Sequence, residues 1–501
     1  MAGARAGWWT DATIYQVYPR SFQDADGDGE GDLAGIVERL PHVAALGADA
    51  VWLSPIYPSP MADGGYDVAD YEAVRPAFGT LADVDALVAE AHRLGLKVLL
   101  DAVPCHTSIE HPWFRERADY YVWSDRDGPQ NNWRSTFGGS AWSPDPHGRG
   151  WYLHSFYPEQ PDLDWRNPDV GAAFGAALRF WLERGVDGFR LDAVDRLLKD
   201  PERRDDRART AASPPALPEA APDYVALEHD RSRDAPDIGV ALQQLRDAVG
   251  DAFLVGEVYL RSDRLAPYLD ALDTAFSFEL FHAPWRADAI RAALHAATAL
   301  GGGRAAWVLS NHDFPRLPDR VGAVNVRAAA LLLLGLPGPA FVYQGDEIGL
   351  ADGPGRASEP DDRHGRDVHR HPMPWDAGRP HTGFTTGTPW LPVGDATGVT
   401  VAAQEADPRS LLHLYRDLVA LRGRVLQGGL HVLNDTAPEI VAYTRGDAHV
   451  VALNAGDAPA PVPAAVAAGA RILRHTHDPP RTGTPAPRSL SPGEGFVAKL
   501  A

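Results

Sequence analysis

The chain has 501 residues, with 47 Lys and Arg against 68 Asp and Glu, a formal net charge of −21, and 45% hydrophobic and 23% charged residues. That length allows a large core and about three domains, while an acidic balance unbroken by any basic run argues against nucleic acid as a partner. No uncharged apolar stretch reaches bilayer length and no signal-peptide core opens the chain; with one cysteine there is no internal disulfide, so the expected setting is the reducing cytoplasm.

Ile14 to Tyr18 alternates as a strand. The turn that follows, Asp24-Ala-Asp26-Gly-Asp28-Gly-Glu30-Gly-Asp32, puts a carboxylate at every second position of a glycine-rich loop. This spacing wraps a hard cation such as Ca²⁺, with Glu30 contributing its backbone carbonyl; the alternative is a solvated acidic turn capping the helix that begins at Asp32. Helical spacing runs from Asp32 to Leu46 and from Thr80 to Leu94, around the strand Ala50 to Leu53. Lys97 to Asp101 reads as the third strand. Further strands follow at Val186–Asp192, Phe253–Glu257, Ala275–Phe278, Ala306–Leu309 and Pro339–Tyr343, giving eight strand–helix units and predicting an α/β fold of the (β/α)₈ TIM barrel type.

Between the third strand and the next helix lie roughly seventy residues rich in Trp, Gly, Asn and Pro, too many for an ordinary loop. They predict a subdomain over 104–172, inserted between barrel segments 1–103 and 173–424. Pro201 to Asp223 reads as a mobile insertion. Beyond the helix Ser410 to Arg424, short strands such as Ile440 to Tyr443 and His449 to Leu453 predict a C-terminal antiparallel β-sandwich domain over 425–501.

The chemistry gathers where the strands end. In Val186-Asp-Gly-Phe-Arg-Leu-Asp192-Ala193, side-chain alternation puts Arg190 and Asp192 on one face and Phe189 and Leu191 on the other. Asp101, Asp192, Glu257 and Asp313 all fall at or just after C-terminal strand ends, the face on which barrel enzymes build their sites, with His106 and His312 beside them. Clustered carboxylates push their ionisations apart. Arg190 beside Asp192 keeps that carboxylate charged, and Glu257, after an apolar strand, is the expected proton holder. Such a pair is what retaining glycoside hydrolysis uses.

The motifs Asp101-Ala-Val-Pro-Cys-His106, Gly188-Phe-Arg190-Leu-Asp192, Val255-Gly-Glu257-Val-Tyr and Ser310-Asn-His312-Asp313, in this order, resemble those of the α-amylase family, glycoside hydrolase family thirteen. The resemblance spans nearly the whole chain and is nearest to the α-glucosidase and oligo-1,6-glucosidase branch. It implies Asp192 as nucleophile, Glu257 as general acid/base and Asp313 as transition-state stabiliser. Arg190, His106 and His312 would hold the first sugar, and Asp67, paired with Arg370, would grip the non-reducing glucose and close the pocket behind it. Tyr66 resembles the stacking platform; Phe137 and Phe156 either line the same pocket or pack within their loops. The acidic loop of Asp24, Asp26, Asp28, Glu30 and Asp32 would hold a structural Ca²⁺ or Mg²⁺, with no organic cofactor. Cys105 stands where the family has asparagine, and reads as a small buried thiol. Ala193, small where α-1,6 enzymes carry valine, leans toward α-1,4 bonds. The implied activity is exo-acting, retaining release of glucose from maltose and short oligosaccharides, with glucosyl transfer open. The alternatives are a sucrose- or maltose-acting transglucosidase or isomerase, and a non-catalytic sugar-binding relative.

Overall fold

The computed structural model describes residues 7–211, 220–298, 300, 303–354, 362–394, 396, 398–477 and 483–501. Eight parallel strands close into a barrel: β1 (Thr13–Val17), β2 (Ala50–Leu53), β3 (Lys97–Ala102), β4 (Gly188–Leu191), β5 (Phe253–Gly256), β6 (Thr274–Phe276), β7 (Ala305–Val308) and β8 (Ala340–Tyr343). They pair in chain order, and β8 returns to β1.

Alternation sorts the side chains of these strands as the pleat requires. Ile14, Trp52, Leu99, Phe253, Val255, Val308 and Phe341 fill the interior. Tyr15, Val51, Leu100, Phe189, Leu191 and Val342 face outward, onto the helices. Those helices are α1 (Leu33–Leu46), α2 (Leu81–Arg93), α3 (Pro168–Glu183), α4 (Gly239–Val249), α5 (Ala287–Thr298), α6 (Val326–Gly335) and α7 (Leu411–Arg424). One expected helix is missing. Between β5 and β6 the described chain forms only a 3-10 turn, Ser262–Arg264, and Pro267 soon after removes a backbone donor that a longer helix would need. Asp32 caps α1 by accepting from the Gly35 amide at 2.6 Å, and Gly47, left-handed at φ +88°, ends it.

Between β3 and α3 the chain leaves the barrel. Trp142–Pro144 and Trp151–Leu153 pair antiparallel there, over a small core of Val122, Trp133, Ala141, Trp142 and Leu153. The return comes at Pro168, capped by Asn167, earlier than the expected 173. Pro201–Asp223 shows turns and one isolated bridge, Ala208 with Leu227, in its described part; 212–219 lie outside the described residues.

Five antiparallel strands follow: β9 (Leu430–Val432), β10 (Ile440–Arg445), β11 (His449–Asn454), β12 (Arg471–His475) and β13 (Gly495–Lys499), ordered β9-β10-β11-β13-β12. One face of this sheet packs Ile440, Ala442, Val450, Ala452 and Phe496 against Ala460, Val462 and Leu490. The other sends Val441, Tyr443, Val451 and Val497 into the core shared with the barrel helices. Arg445 crosses that seam and donates to the Gly335 carbonyl at 2.8 Å, at the C-terminal end of α6, where carbonyls lack intrahelical partners.

Candidate active site

β3, β4 and β5 lie side by side, with Asp101 opposite Arg190 and Leu191 opposite Gly256. The ladder runs one step further. The Asp192 amide donates to Ala102 O at 2.9 Å and the Glu257 amide to Leu191 O at 2.8 Å, so both carboxylates emerge from neighbouring strand ends on the inward face. Arg190 is buried between them. Its Nη1 lies 2.9 Å from Asp101 and 2.7 Å from Asp192, and its Nη2 lies 2.7 Å from Glu257. The sequence reading gave this cation to Asp192; in the structure three carboxylates share it. Ala193 then turns through a left-handed conformation, φ +45° and ψ +42°, which is uncommon outside glycine and typical of functional sites. The turn aims its amide at Glu257 Oε2, 3.1 Å away.

Burial raises Asp101, Asp192 and Glu257 above the ordinary carboxylate range, and Arg190 offsets this only in part. Glu257 is held highest, because Asp192 and Asp313 add their repulsion to its burial. Its carboxyl also hydrogen-bonds Asp192, an arrangement that two carboxyls reach when one carries a proton. Asp313 behaves oppositely. Burial would raise it, but His312, Arg366 and Arg370 outweigh burial and hold it well below the usual range. His312 itself is neutral, its pKa lowered to about 3 by burial. Gln16 Nε2 approaches its Nδ1 at 2.9 Å, which leaves Nε2–H facing Asp313 at 3.1 Å.

These groups open onto a cavity of ≈ 480 Å³ lined by Tyr66, His106, Phe137, Phe156, Asp192, Glu257 and Asp313 among others, within the range of small-ligand sites. Tyr66 stacks on His312 with ring centroids 5.3 Å apart and donates to Asp101 at 2.8 Å. His106 lies 2.9 Å from Gln160 Nε2.

The residues expected to grip a terminal glucose, Asp67 and Arg370, are not paired and do not line the cavity. Asp67 is fully buried and is not among the residues lining the cavity; it accepts from Ser59 Oγ at 2.8 Å and from the amides of Ala62 and Asp63 at 2.9 and 3.0 Å. It braces its own loop, because the turn through Gly64 and Gly65, both at positive φ, points those amides back at it. Arg370 passes over Gly64, where a Cβ would lie 2.6 Å from its Nη1, and donates to Asp313 at 2.9 Å. The paired residues are Asp63 and Arg366. Arg366 also donates to Asp313 at 3.0 Å, and Gln160 donates to Asp63 at 2.9 Å. Both line the cavity.

The acidic loop divides in two. Carboxylate oxygens of Asp24, Asp26 and Asp28 lie within 4.8 Å of one another, and the backbone amides of Gly27 and Gly29 donate to Asp24 at 2.6 and 2.8 Å. That donor set suits a hard cation. The Glu30 side chain is taken by Arg20 and Arg75 at 2.6 and 2.5 Å, leaving its carbonyl. Asp32 accepts from Ala25 as well as Gly35. None of the five lines the cavity. Cys105 is buried, and burial pushes its thiol up; beside it, Lys199 Nζ lies 2.6 Å from Asp162.

Residues 16–429 match the family model described as alpha amylase, catalytic domain. The chain is 44% identical over 462 residues to a probable alpha-glucosidase of Rhizobium meliloti (strain 1021), covering 83% of this chain and 82% of that one. It is 34% identical over 512 residues to an oligo-1,6-glucosidase of Parageobacillus thermoglucosidasius, covering 87% and 88%. Among solved structures, an alpha-glucosyl transfer enzyme, XgtA, superposes with a TM-score of 0.91 at 36% identity over 99% of this chain and 100% of that one.

Proposed function

The chain belongs to the alpha-amylase family, and we propose that it is a retaining, exo-acting α-glucosidase that releases terminal glucose from maltose and short α-linked oligosaccharides. The observation that carries this reading is the pair Asp192 and Glu257 on adjacent strand ends, bridged by Arg190 and facing one cavity with Asp313. In the first step Asp192 attacks the anomeric carbon as its bond to the leaving oxygen breaks, and Glu257 gives that oxygen its proton. In the second, Glu257 takes a proton from water, the water oxygen bonds the anomeric carbon, and the ester to Asp192 opens. Two inversions leave the configuration unchanged. Asp313, held ionised by its neighbours, faces the positive charge that develops on the sugar ring.

Asp63 with Arg366 takes the place first given to Asp67 with Arg370, gripping the terminal glucose beside Tyr66, His106 and His312. Phe137 and Phe156 line its apolar side. Ala193 supports α-1,4 linkages, and the likeness to an alpha-glucosyl transfer enzyme supports a sugar acceptor competing with water in the second step. A non-catalytic role is disfavoured by the presence of all three carboxylates. The proposed setting is the cytoplasm, which suits the free thiol of Cys105. Initial rates on maltose, isomaltose, sucrose and trehalose, with the released anomer followed by NMR, test the reading. Maltose should be cleaved fastest, with α-glucose appearing first; β-glucose as the first product would sink it.

The proposal includes a Ca²⁺ or Mg²⁺ held by Asp24, Asp26, Asp28 and the Glu30 carbonyl, which neutralises the repulsion of three neighbouring carboxylates and fixes the loop before α1. Adding either ion to chelator-treated protein should raise Tm by about 2–5 °C and leave the maltose rate unchanged. An unmoved Tm rules the site out.

A further inference from the structure

The turn Val194–Arg196 leaves β4 directly after Asp192 and Ala193, and it carries a cation that the mechanism does not use. Arg196 lines the same cavity as Asp192 and Glu257 although only 7% of it is exposed. Its guanidinium lies 4.9 Å from the Phe156 ring and 5.5 Å from the Tyr224 ring, and it donates to the Tyr224 hydroxyl at 2.9 Å. That partner is a phenol, not a carboxylate. Among the described residues no carboxylate lies within 4.0 Å of it; its neighbour Asp195 acts on it from farther off and is shared with Arg233, at 3.6 Å. Buried charges are ordinarily paired, because an unpaired one forfeits its hydration. Arg366 in the same cavity, and Arg190 and Arg370 buried behind it, obey this rule, each with a carboxylate within 3.0 Å.

Two more cations share the wall, Arg233 and Arg209. The acids that line it there are Asp195 and Glu228, and Glu228 shares Arg207 with Asp230, at 2.9 and 2.8 Å. Among the described residues this part of the cavity therefore sets three guanidiniums against two carboxylates, in a chain whose balance is −21. The sugar clamp sits elsewhere on the rim. Asp313 and Arg366 follow β7 and β8, whereas Arg196, Tyr224 and Arg233 follow β4, which stands across a closed eight-stranded barrel from β8. For a glucoside whose terminal ring rested on Asp63 and Arg366, this wall would be the part of the same cavity across the barrel mouth, open to its second moiety.

We propose that the aglycone side of the cavity is built for an anion: the preferred substrate is an α-glucoside whose second moiety carries a carboxylate or phosphate, received by Arg196 with Arg233 and Arg209 around it. The inference rests on the α-glucosidase reading and narrows its substrate. A guanidinium offers several donors in a planar fork, of which Tyr224 takes one, and both anions accept in that geometry. The low-dielectric, aromatic surroundings of Arg196 strengthen such a pair.

The test compares kcat/KM within matched pairs: 2-O-α-glucosylglycerate against 2-O-α-glucosylglycerol for a carboxylate, and trehalose 6-phosphate against trehalose for a phosphate, with maltose alongside. At least one anionic substrate should exceed its neutral counterpart about tenfold or more, and the pair that does so identifies the anion. Arg196→Met should bring that ratio close to one, and Arg196→Lys should retain part of it. In the wild type, raising ionic strength from about 20 mM to about 500 mM should lower the rate on the anion and spare the neutral sugar; this reading decides the matter if the methionine variant does not fold. Ratios at or below one in both pairs overturn the proposal, as does a high ratio that survives Arg196→Met or is indifferent to salt. If maltose is cleaved while the ratios stay low, the anion site alone falls; if no glucoside is cleaved, the glucosidase reading falls first.

Discussion

Asp192→Asn is expected to lower turnover of p-nitrophenyl α-glucoside by about four to six orders of magnitude, the usual range for removing a nucleophile, with the folded state essentially unchanged. The carboxamide keeps the shape of the side chain but cannot form the glycosyl ester. Losing a charged partner of a buried arginine would normally destabilise the fold. Here Arg190 keeps Asp101 and Glu257 at 2.9 and 2.7 Å, so the guanidinium stays paired and Tm should shift by no more than a few degrees. The substitution also removes one of the charges that raise Glu257, and the Glu257 carboxyl should titrate lower in the variant. Its titration can be followed by NMR with a ¹³C label. A rate within tenfold of wild type in a folded variant would exclude Asp192 as the attacking group.

How much of this was legible in the sequence depends on how far apart the cooperating residues lie. The barrel strands were readable because each is a short apolar run that ends in polar residues, and a period of two assigns Arg190 and Asp192 to the interior without any coordinates. The missing helix after β5 was not, since the segment has helix-compatible composition and only its brevity and Pro267 limit it. Within the site, residues at strand ends were recognisable, because the ladder fixes where they point. Which of two like-charged residues on one loop faces the cavity was not. Asp63 and Asp67 stand four apart in one loop, and nothing local tells which faces the cavity; that is decided by Gly64 and Gly65 at positive φ, which wrap the amides of Ala62 and Asp63 around Asp67. Arg366 and Arg370 pose the same question about 300 residues later. A glycine pair between two acids was the one signal that could have pointed to Asp63. Nothing local marks Arg196, because a polar residue beyond a strand end is usually solvated, and its burial under Phe156 and Tyr224 comes from two segments distant in sequence.

Glu257→Gln should divide the two steps that Asp192→Asn abolishes together. Loss of the proton donor should cost about 10²- to 10⁴-fold in kcat/KM on maltose, whose leaving sugar hydroxyl is a poor anion. It should cost far less on 2,4-dinitrophenyl α-glucoside, whose phenolate departs unprotonated. The glycosyl ester would then accumulate, and added azide, which needs no general base, should attack the anomeric carbon, reopen the ester to Asp192 and give α-glucosyl azide with retained configuration. The pH profile supplies a second signature. Activity requires Asp192 ionised and Glu257 protonated, so kcat/KM rises with pH through the first ionisation and falls through the second. Burial raises both, Glu257 to the higher value, which places the wild-type optimum on the neutral side rather than in the acid range of free carboxylates. In Glu257→Gln the alkaline limb should vanish, because glutamine has no proton to lose, while the acid limb set by Asp192 remains: Glu257 is still protonated where Asp192 ionises and acts on it there as a hydrogen-bond donor, a role the carboxamide keeps. An alkaline limb that persists in the variant, or an azide effect absent with the activated substrate, would assign the proton transfer to another group in the cavity.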